Sequence, residues 1–420
     1  MESTMNLIDL GYSLDLRPVG DDTDKFIQEL MADALKVGGD ITVWEYPSGD
    51  IYNGWVIPSS WKVNWAIIYS RGCSWAPIWA RNHPLSVWGY SESFVGELEF
   101  CELEKHIFTC ADLPEAVPYH WKRYYSPEAC SWGFSLPYEV YQTLFKERES
   151  DYYSVSLETE FTPGSLKVLE WTLPGKLDDT IILNAHCCHP KQANDDLSGC
   201  QVVWDTMKFL AEKPRRYTYK ALICPELLGP IFWLREQWSS YLKAAILLKA
   251  VGNNALLRVQ SSFCGNSDID RMASTMNLVT KPFRTLYGND EIALEAPGYE
   301  IPTTTFTRYP FHGYHTSIDT PEFINPKRIK ETQSCLQELL ENIERNRLVT
   351  SGCLGVHRLS HLGLYREPED DEHGLMSGLQ RDSVGGMDIL SLAEKYRLGF
   401  RHVADYVEEA ARHDIVHLGR

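Results

Sequence analysis

The spacing of apolar positions changes several times along the chain, and each change marks a new kind of element. Over residues 23–37, Phe26, Leu30, Met31 and Leu35 recur at helical spacing, which predicts a helix capped by Asp22 or Thr23. Beyond Gly38-Gly39 the chain becomes rich in Trp, Tyr, Val and Ile broken by Pro and Gly, as in ITVWEYPSG, GWVIPSSWKVNWAIIYS and PLSVWGYS. That texture predicts short strands and turns over 41–135, a compact β subdomain. Trp44, Trp55, Trp61 and Trp65 are expected to form its core, with cover over a neighbouring cleft as the alternative.

From about residue 150 apolar runs alternate with helical periods. VSLETEF, SLKVLEWTLPG and TIILNAH read as strands, and SGCQVVWDTMKFLAEK as a helix. YKALICPE, IFWLREQWSSYL and AAILLKAVG then give strand, helix and strand. This alternation predicts a doubly wound α/β sheet. Residues 326–348 form a long amphipathic helix opened by Pro326. After the acidic break REPEDDEHG, two helical pieces and a closing apolar IVHL suggest a small winged-helix-like tail over 351–420.

A length of 420 residues allows two or three domains. The 40 Lys+Arg against 58 Asp+Glu give a formal charge of −18, which argues against partners that need a basic footprint. No nucleic-acid or membrane partner is therefore expected. The tail is acidic too, with 8 Lys+Arg against 12 Asp+Glu, so packing or homo-oligomerisation is the expected use of that unit. The 11 cysteines are scattered without a recurring CxxC, so neither a zinc ribbon nor a disulfide framework is indicated. The N-terminus lacks the pattern of a secretory signal and no run of eighteen apolar residues occurs, so a cytoplasmic protein with reduced thiols is expected.

Three segments could carry chemistry. AHCCHPKQANDDLSG, residues 185–199, places His186, His189, Asp195 and Asp196 between an apolar strand and a helix, where open α/β sheets collect ligands. Imidazole with carboxylate suits Zn²⁺, Mn²⁺ or Fe²⁺, whereas helix capping and a core histidine are the plainer roles for the same residues. Glu226, in ICPELLG, ends another strand as a metal ligand, a general base, or a charge favoured by a helix dipole. RYPFHGYHTSIDTPEF, residues 308–323, adds His312, His315 and Asp319 in a loop that could equally be a solvated turn.

Taken in order, these fragments resemble the co-catalytic zinc aminopeptidase superfamily, which includes single-zinc glutaminyl cyclases. A closer resemblance is to a bacterial aminopeptidase-like family with an inserted β domain and a C-terminal winged helix. Its landmarks are matched by Arg17-Pro18-Val19-Gly20, EYPSGDIYNGWVIPSSW, YHWKRYYSPEACSWGFSL, HCCHPKQANDDLSG, PELLG, GNDE, APGYEIP and YHTSID. The resemblance implies an aminopeptidase-like mixed sheet flanked by helices, formed by 1–40 and 136–350. Residues 41–135 would be the β insertion and 351–420 the winged-helix-like domain. It further implies that Asp195 matches the metal-bridging carboxylate, His315 the last histidine ligand and Asp319 its structural neighbour. One of His186 and His189 matches the first ligand, with His189 favoured by its His-Pro context. Glu226 falls where the family has paired glutamates, but Leu227 follows it, so base and ligand roles compete for one side chain.

Departures from the pattern carry information. Lys249 stands near where the aminopeptidases present an aspartate ligand, and a cation there opposes a second metal. Asp290 resembles an outer carboxylate of the superfamily or supplies the missing one. Ile292 and Gly313 replace an arginine and an acid. Arg308 and Tyr309 are candidates for contact with a substrate carboxylate or oxyanion, against a structural role. Tyr119, Trp121, Tyr124 and Tyr125 are candidates for a lid. The implied function is zinc-dependent hydrolysis of an amide next to an amino-acid-like group in a small metabolite or short peptide. One zinc is expected, with two as the alternative. The rival readings are a non-catalytic scaffold derived from a peptidase and a single-zinc cyclase or acyltransferase.

Overall fold

The computed structural model of the protein describes residues 5–70, 77–120, 131–143, 152–276 and 278–419. Trp121, Tyr124 and Tyr125, the remaining lid candidates, lie outside them.

Every residue of the strand Thr180–His186 is buried, as its unbroken apolar run requires of a strand covered on both faces. It sits at the centre of an eight-stranded sheet in the spatial order Asp40–Pro47, Ser165–Leu173, Thr218–Cys224, Thr180–His186, Leu242–Lys249, Thr303–Arg308, Leu257–Gln260, Val279–Lys281. Thr180–His186 runs parallel to both neighbours, and Leu242–Lys249 runs parallel to Thr303–Arg308. The pairings at Asp40–Pro47, at Ser165–Leu173 and between Leu257–Gln260 and Thr303–Arg308 are antiparallel. The sheet is therefore mixed and flanked by helices, the α/β class that the alternating pattern implied.

One face of the sheet is covered by Leu7–Ser13, Asp21–Val37, Ser198–Ala211 and Pro326–Arg345, whose apolar stripes close a single core with Leu183, Ile246 and Phe306. Leu228–Gln237 covers the other face with Phe232 and Trp233. The helix expected from residue 23 begins at Asp21 behind Gly20, which gives no side-chain cap. Thr23 instead closes a turn, its hydroxyl accepting from Arg17 N at 3.0 Å and donating to Arg17 O. Asn325 caps Pro326–Arg345, with the proline in the first turn as expected.

The β-rich stretch divides differently from its texture. Asp40–Pro47 is the edge strand of the main sheet, and Trp44 donates to Glu170 at 2.9 Å there. A separate four-stranded sheet is built from Ser60–Ser70, Trp79–Ala80, Phe94–Glu99 and Tyr152–Thr162, so a strand from beyond residue 150 completes it. Of the four tryptophans, Trp61 is buried in this sheet's core, Trp55 packs on the main sheet's second core, and Trp65 is exposed.

The C-terminal residues fold as helices His373–Asp382, Ile389–Tyr396 and Phe400–Arg412 beside a three-stranded sheet. The first of these helices was not expected. Ile389, Val403 and Val407 join the same core as Leu339 and Leu340. No helix among the described residues is long and apolar enough to cross a membrane.

Candidate active site

Three parallel strands end at one edge of the sheet and bring their terminal residues together. His186 is the last residue of Thr180–His186, Lys249 the last of Leu242–Lys249, and Glu226 follows Cys224 by two. The register pairs His186 with Cys224 and Asn184 with Leu247, so His186 and Lys249 end at the same level and Glu226 extends just beyond it. The connection after His186 adds Cys188 and His189, and the turn Ala193–Leu197 adds Asp195 and Asp196 before the helix Ser198–Ala211. The loop after Thr303–Arg308 brings Tyr314, His315 and Asp319. This is where parallel sheets concentrate ligand-binding groups.

Several contacts fix the turn that carries Asp195. Asp319 accepts from Asn194 N at 2.6 Å and from Asp195 N at 3.0 Å. Asp196 Oδ1 accepts from Gly199 N at 3.1 Å and from Ala250 N at 3.0 Å, tying the turn to the strand end that bears Lys249. A Cβ at Gly199 would lie 2.4 Å from both Asp196 carboxylate oxygens. Gly199→Ala is therefore expected to displace that carboxylate and cost about 1–3 kcal/mol, read as a lower denaturation midpoint at unchanged slope.

Asp195 is wholly buried, and neither of its oxygens has a well-angled hydrogen bond. It pairs by charge with Lys249, whose Nζ lies 2.5 Å from Oδ1, while His186 Nε2 lies 3.3 Å from Oδ1 and His315 Nε2 3.0 Å from Oδ2. Burial alone would raise its pKa, but the Lys249 ammonium, then His186 and His315, hold it well below the carboxylate range. Lys249 is the counterpart, since Asp195 above all overrides its burial and keeps it charged. Burial and Lys249 push His186 down to about 4, and burial pushes His189 down to about 3. Both imidazoles are neutral at pH 7 and present lone pairs.

The ligand atoms of His189, Asp195 and His315 all lie within 4.8 Å of one another. An overlapping set joins His186, Cys188, His189 and Glu226. Burial holds the Cys188 thiol well above its ordinary pKa, so it faces His189 Nδ1, 3.5 Å away, as a neutral group. Glu226 Oε2 lies 3.6 Å from His189 Nε2. Its other oxygen accepts from Asn289 Nδ2 at 2.7 Å, which aims the first toward the cluster. Tyr314 stacks on His315 with centroids 3.9 Å apart, and Tyr119 meets His189 and His315 edge-on, each at 5.3 Å. Tyr119 N donates to His315 O at 2.7 Å, so a loop beside the small sheet closes one side of the site.

Two expected participants are placed elsewhere. Arg308 is engaged in structure, with Nε donating to Val251 O, Nη1 to Ala255 O and Nη2 to Arg328 O, and with Nη2 3.0 Å from Glu331 Oε2. Four of that guanidinium's five donors are used in these contacts, and the side chain is buried. Asp290 accepts from Leu227 N at 2.6 Å and shapes the turn that carries Glu226 without joining the cluster. His312 also stands outside both ligand sets.

Burial, then the Glu226 charge, raises Asp290 to about 8. The folded chain then holds a proton on Asp290 that the unfolded chain releases above its ordinary pKa of about 3.9. Stability from this group is fully present at low pH and is lost as pH rises toward about 8. Between those values metal-free wild type is expected to lose stability relative to Asp290→Asn by up to ~1.4 kcal/mol per pH unit, measured by denaturant unfolding.

Sequence reasoning missed Asn289, Tyr314 and Cys188. Asn289 left a signal in the GNDE segment, one residue before the acid that drew attention.

A Clostridium acetobutylicum protein named "Putative polysaccharide biosynthesis protein with aminopeptidase-like domain" is 26% identical over 383 residues, covering 86% of this chain and 85% of that protein. A crystal structure described as a "putative peptidase" from Clostridium acetobutylicum superposes with a TM-score of 0.79 at 23% identity, covering 99% of this chain and 95% of that one. A zinc aminopeptidase from Bacillus subtilis superposes with a TM-score of 0.60 at 13% identity, covering 80% of this chain and 93% of that one. These structures share the fold. The family model described as "Domain of unknown function (DUF4910)" matches residues 16–346, and the chain belongs to that family.

Proposed function

We propose that this protein is a metal-dependent amide hydrolase acting on a bond next to an amino-acid-like group in a small metabolite or short peptide. The observation that carries the reading is the convergence of His189, Asp195 and His315 within one ligand radius, with Glu226 beside them. The donor set fits zinc: two imidazole nitrogens, one of them held neutral by burial, and a buried carboxylate whose oxygens lack well-angled hydrogen bonds. Zinc bound there supplies Lewis acidity and lowers the pKa of a water toward ~7. His189, Asp195 and His315 would hold the ion. Glu226, with Oε1 occupied by Asn289, offers Oε2 to take a proton from the attacking water and return it to the leaving amine. Tyr119 and Tyr314 hold the imidazole planes and exclude water from one side.

The zinc aminopeptidase fold supports the hydrolase class, and the formal charge of −18 supports a small substrate over a nucleic acid. A cytoplasmic location and self-association through the tail stay part of the proposal. A cyclase or acyltransferase would use the same residues and differ in acceptor. Incorporation of ¹⁸O from labelled water into the product identifies the hydrolase, and its absence the cyclase or transferase.

His315→Ala and His189→Ala are each expected to lose tightly bound zinc and amidase activity while the circular dichroism spectrum is retained. Full metal content and activity in both variants would sink the assignment.

A further inference from the structure

The ammonium of Lys249 lies between two groups that would otherwise make half of a metal site. Nζ is 2.7 Å from His186 Nε2 and 2.5 Å from Asp195 Oδ1, all three side chains are wholly buried, and Nζ lies 5.5 Å from the centre of the Tyr314 ring. A divalent zinc would seek those same two atoms at about 2.0–2.2 Å. The ammonium cannot share that space with it. Its position is fixed by the strand end and by the backbone of the next residue, since Ala250 N donates to Asp196.

The geometry points to Lys249 as a built-in cation that fills a second metal position, so that the site takes one metal and His186 is a partner of the lysine rather than a ligand. The inference rests on the metal-hydrolase reading above. Lys249 lies in hydrogen-bond reach of the imidazole Nε2 and pairs by charge with Asp195 Oδ1, the oxygen not in contact with His315. Asp195 is thereby left with Oδ2 for the single ion. Lys249 acts through Asp195 as a positioning residue and touches no reacting atom.

The test is metal stoichiometry on the full chain, stripped with chelator, titrated with Zn²⁺ and measured by elemental mass spectrometry. Wild type is expected to hold one tight equivalent. Lys249→Asp supplies a carboxylate in place of the ammonium and is expected to hold two. His186→Gln keeps an acceptor for Lys249 and is expected to retain one equivalent, weakened by no more than the ~10–100-fold typical of groups outside the ligand set. A second tight equivalent in wild type overturns the inference. So does a folded Lys249→Asp that stays at one, or loss of the single equivalent in His186→Gln. Wild type holding no zinc would instead remove the hydrolase reading on which the inference stands, so the two failures are distinct.

Discussion

Glu226→Gln is expected to lower kcat for amide hydrolysis by ~10²–10⁴-fold while metal content and melting temperature stay at wild-type values. The size follows from the loss of proton transfer alone. Glutamine keeps the oxygen that accepts from Asn289 Nδ2, so the side chain retains its orientation, and its amide cannot take a proton from water. Glu226 is also partly exposed, with 17% of its side-chain surface accessible, so exchanging charge for amide at this position costs the fold little. Rate measurement beside elemental analysis separates this role from that of a ligand. Loss of metal with the rate would reassign Glu226 to the ligand set, and an unchanged rate would remove it from the chemistry.

Asp195→Asn is expected to have the largest effect on both stability and metal content. The Lys249 ammonium is wholly buried and has Asp195 as its charge partner at 2.5 Å, so neutralising the acid strands a charge in the core. Breaking a buried pair in this way costs ~3–5 kcal/mol, a large share of the ~5–15 kcal/mol that stabilises a typical domain. The variant also loses the carboxylate that faces His315. We expect a fall in the denaturation midpoint of that size together with loss of bound zinc. Asp195→Asn/Lys249→Met should recover much of the stability, since both charges are then gone, and none of the metal binding. Wild-type metal affinity in the single variant would contradict the assigned centre.

The parts of the fold that were legible share one cause. Thr180–His186 and Leu242–Lys249 are buried on both faces, so their burial appears in the sequence as unbroken apolar runs. The stripe along Pro326–Arg345 follows in the same way from the one face it buries. Residues 41–47 read as part of the β subdomain but pair with the main sheet, because an edge strand with Trp and Tyr looks alike wherever it pairs and partner choice is a long-range matter. The helix His373–Asp382 hid behind its Gly374 and Gly378, which lower helix propensity, and tertiary packing of Leu375 and Leu379 restores it.

At the site, residues on strand ends were readable because a polar group closing an apolar run is conspicuous. Asn289 reaches Glu226 from far along the chain, and no local pattern announces such a pairing. Arg308 misled for the opposite reason. A lone arginine beside an aromatic loop looks like a ligand contact, yet three of its donors go to backbone carbonyls that become neighbours only in the fold.

The central claim is one metal held by His189, Asp195 and His315 beside Glu226. Anomalous diffraction at the zinc edge, on crystals of the zinc-loaded full chain, tests it most directly. The expected result is a single peak at about 2.0–2.2 Å from the nitrogens and carboxylate oxygen of those three residues, with none between His186 and Asp195 where Lys249 lies. A peak bound to His186, or no peak at the trio after loading, would contradict the account.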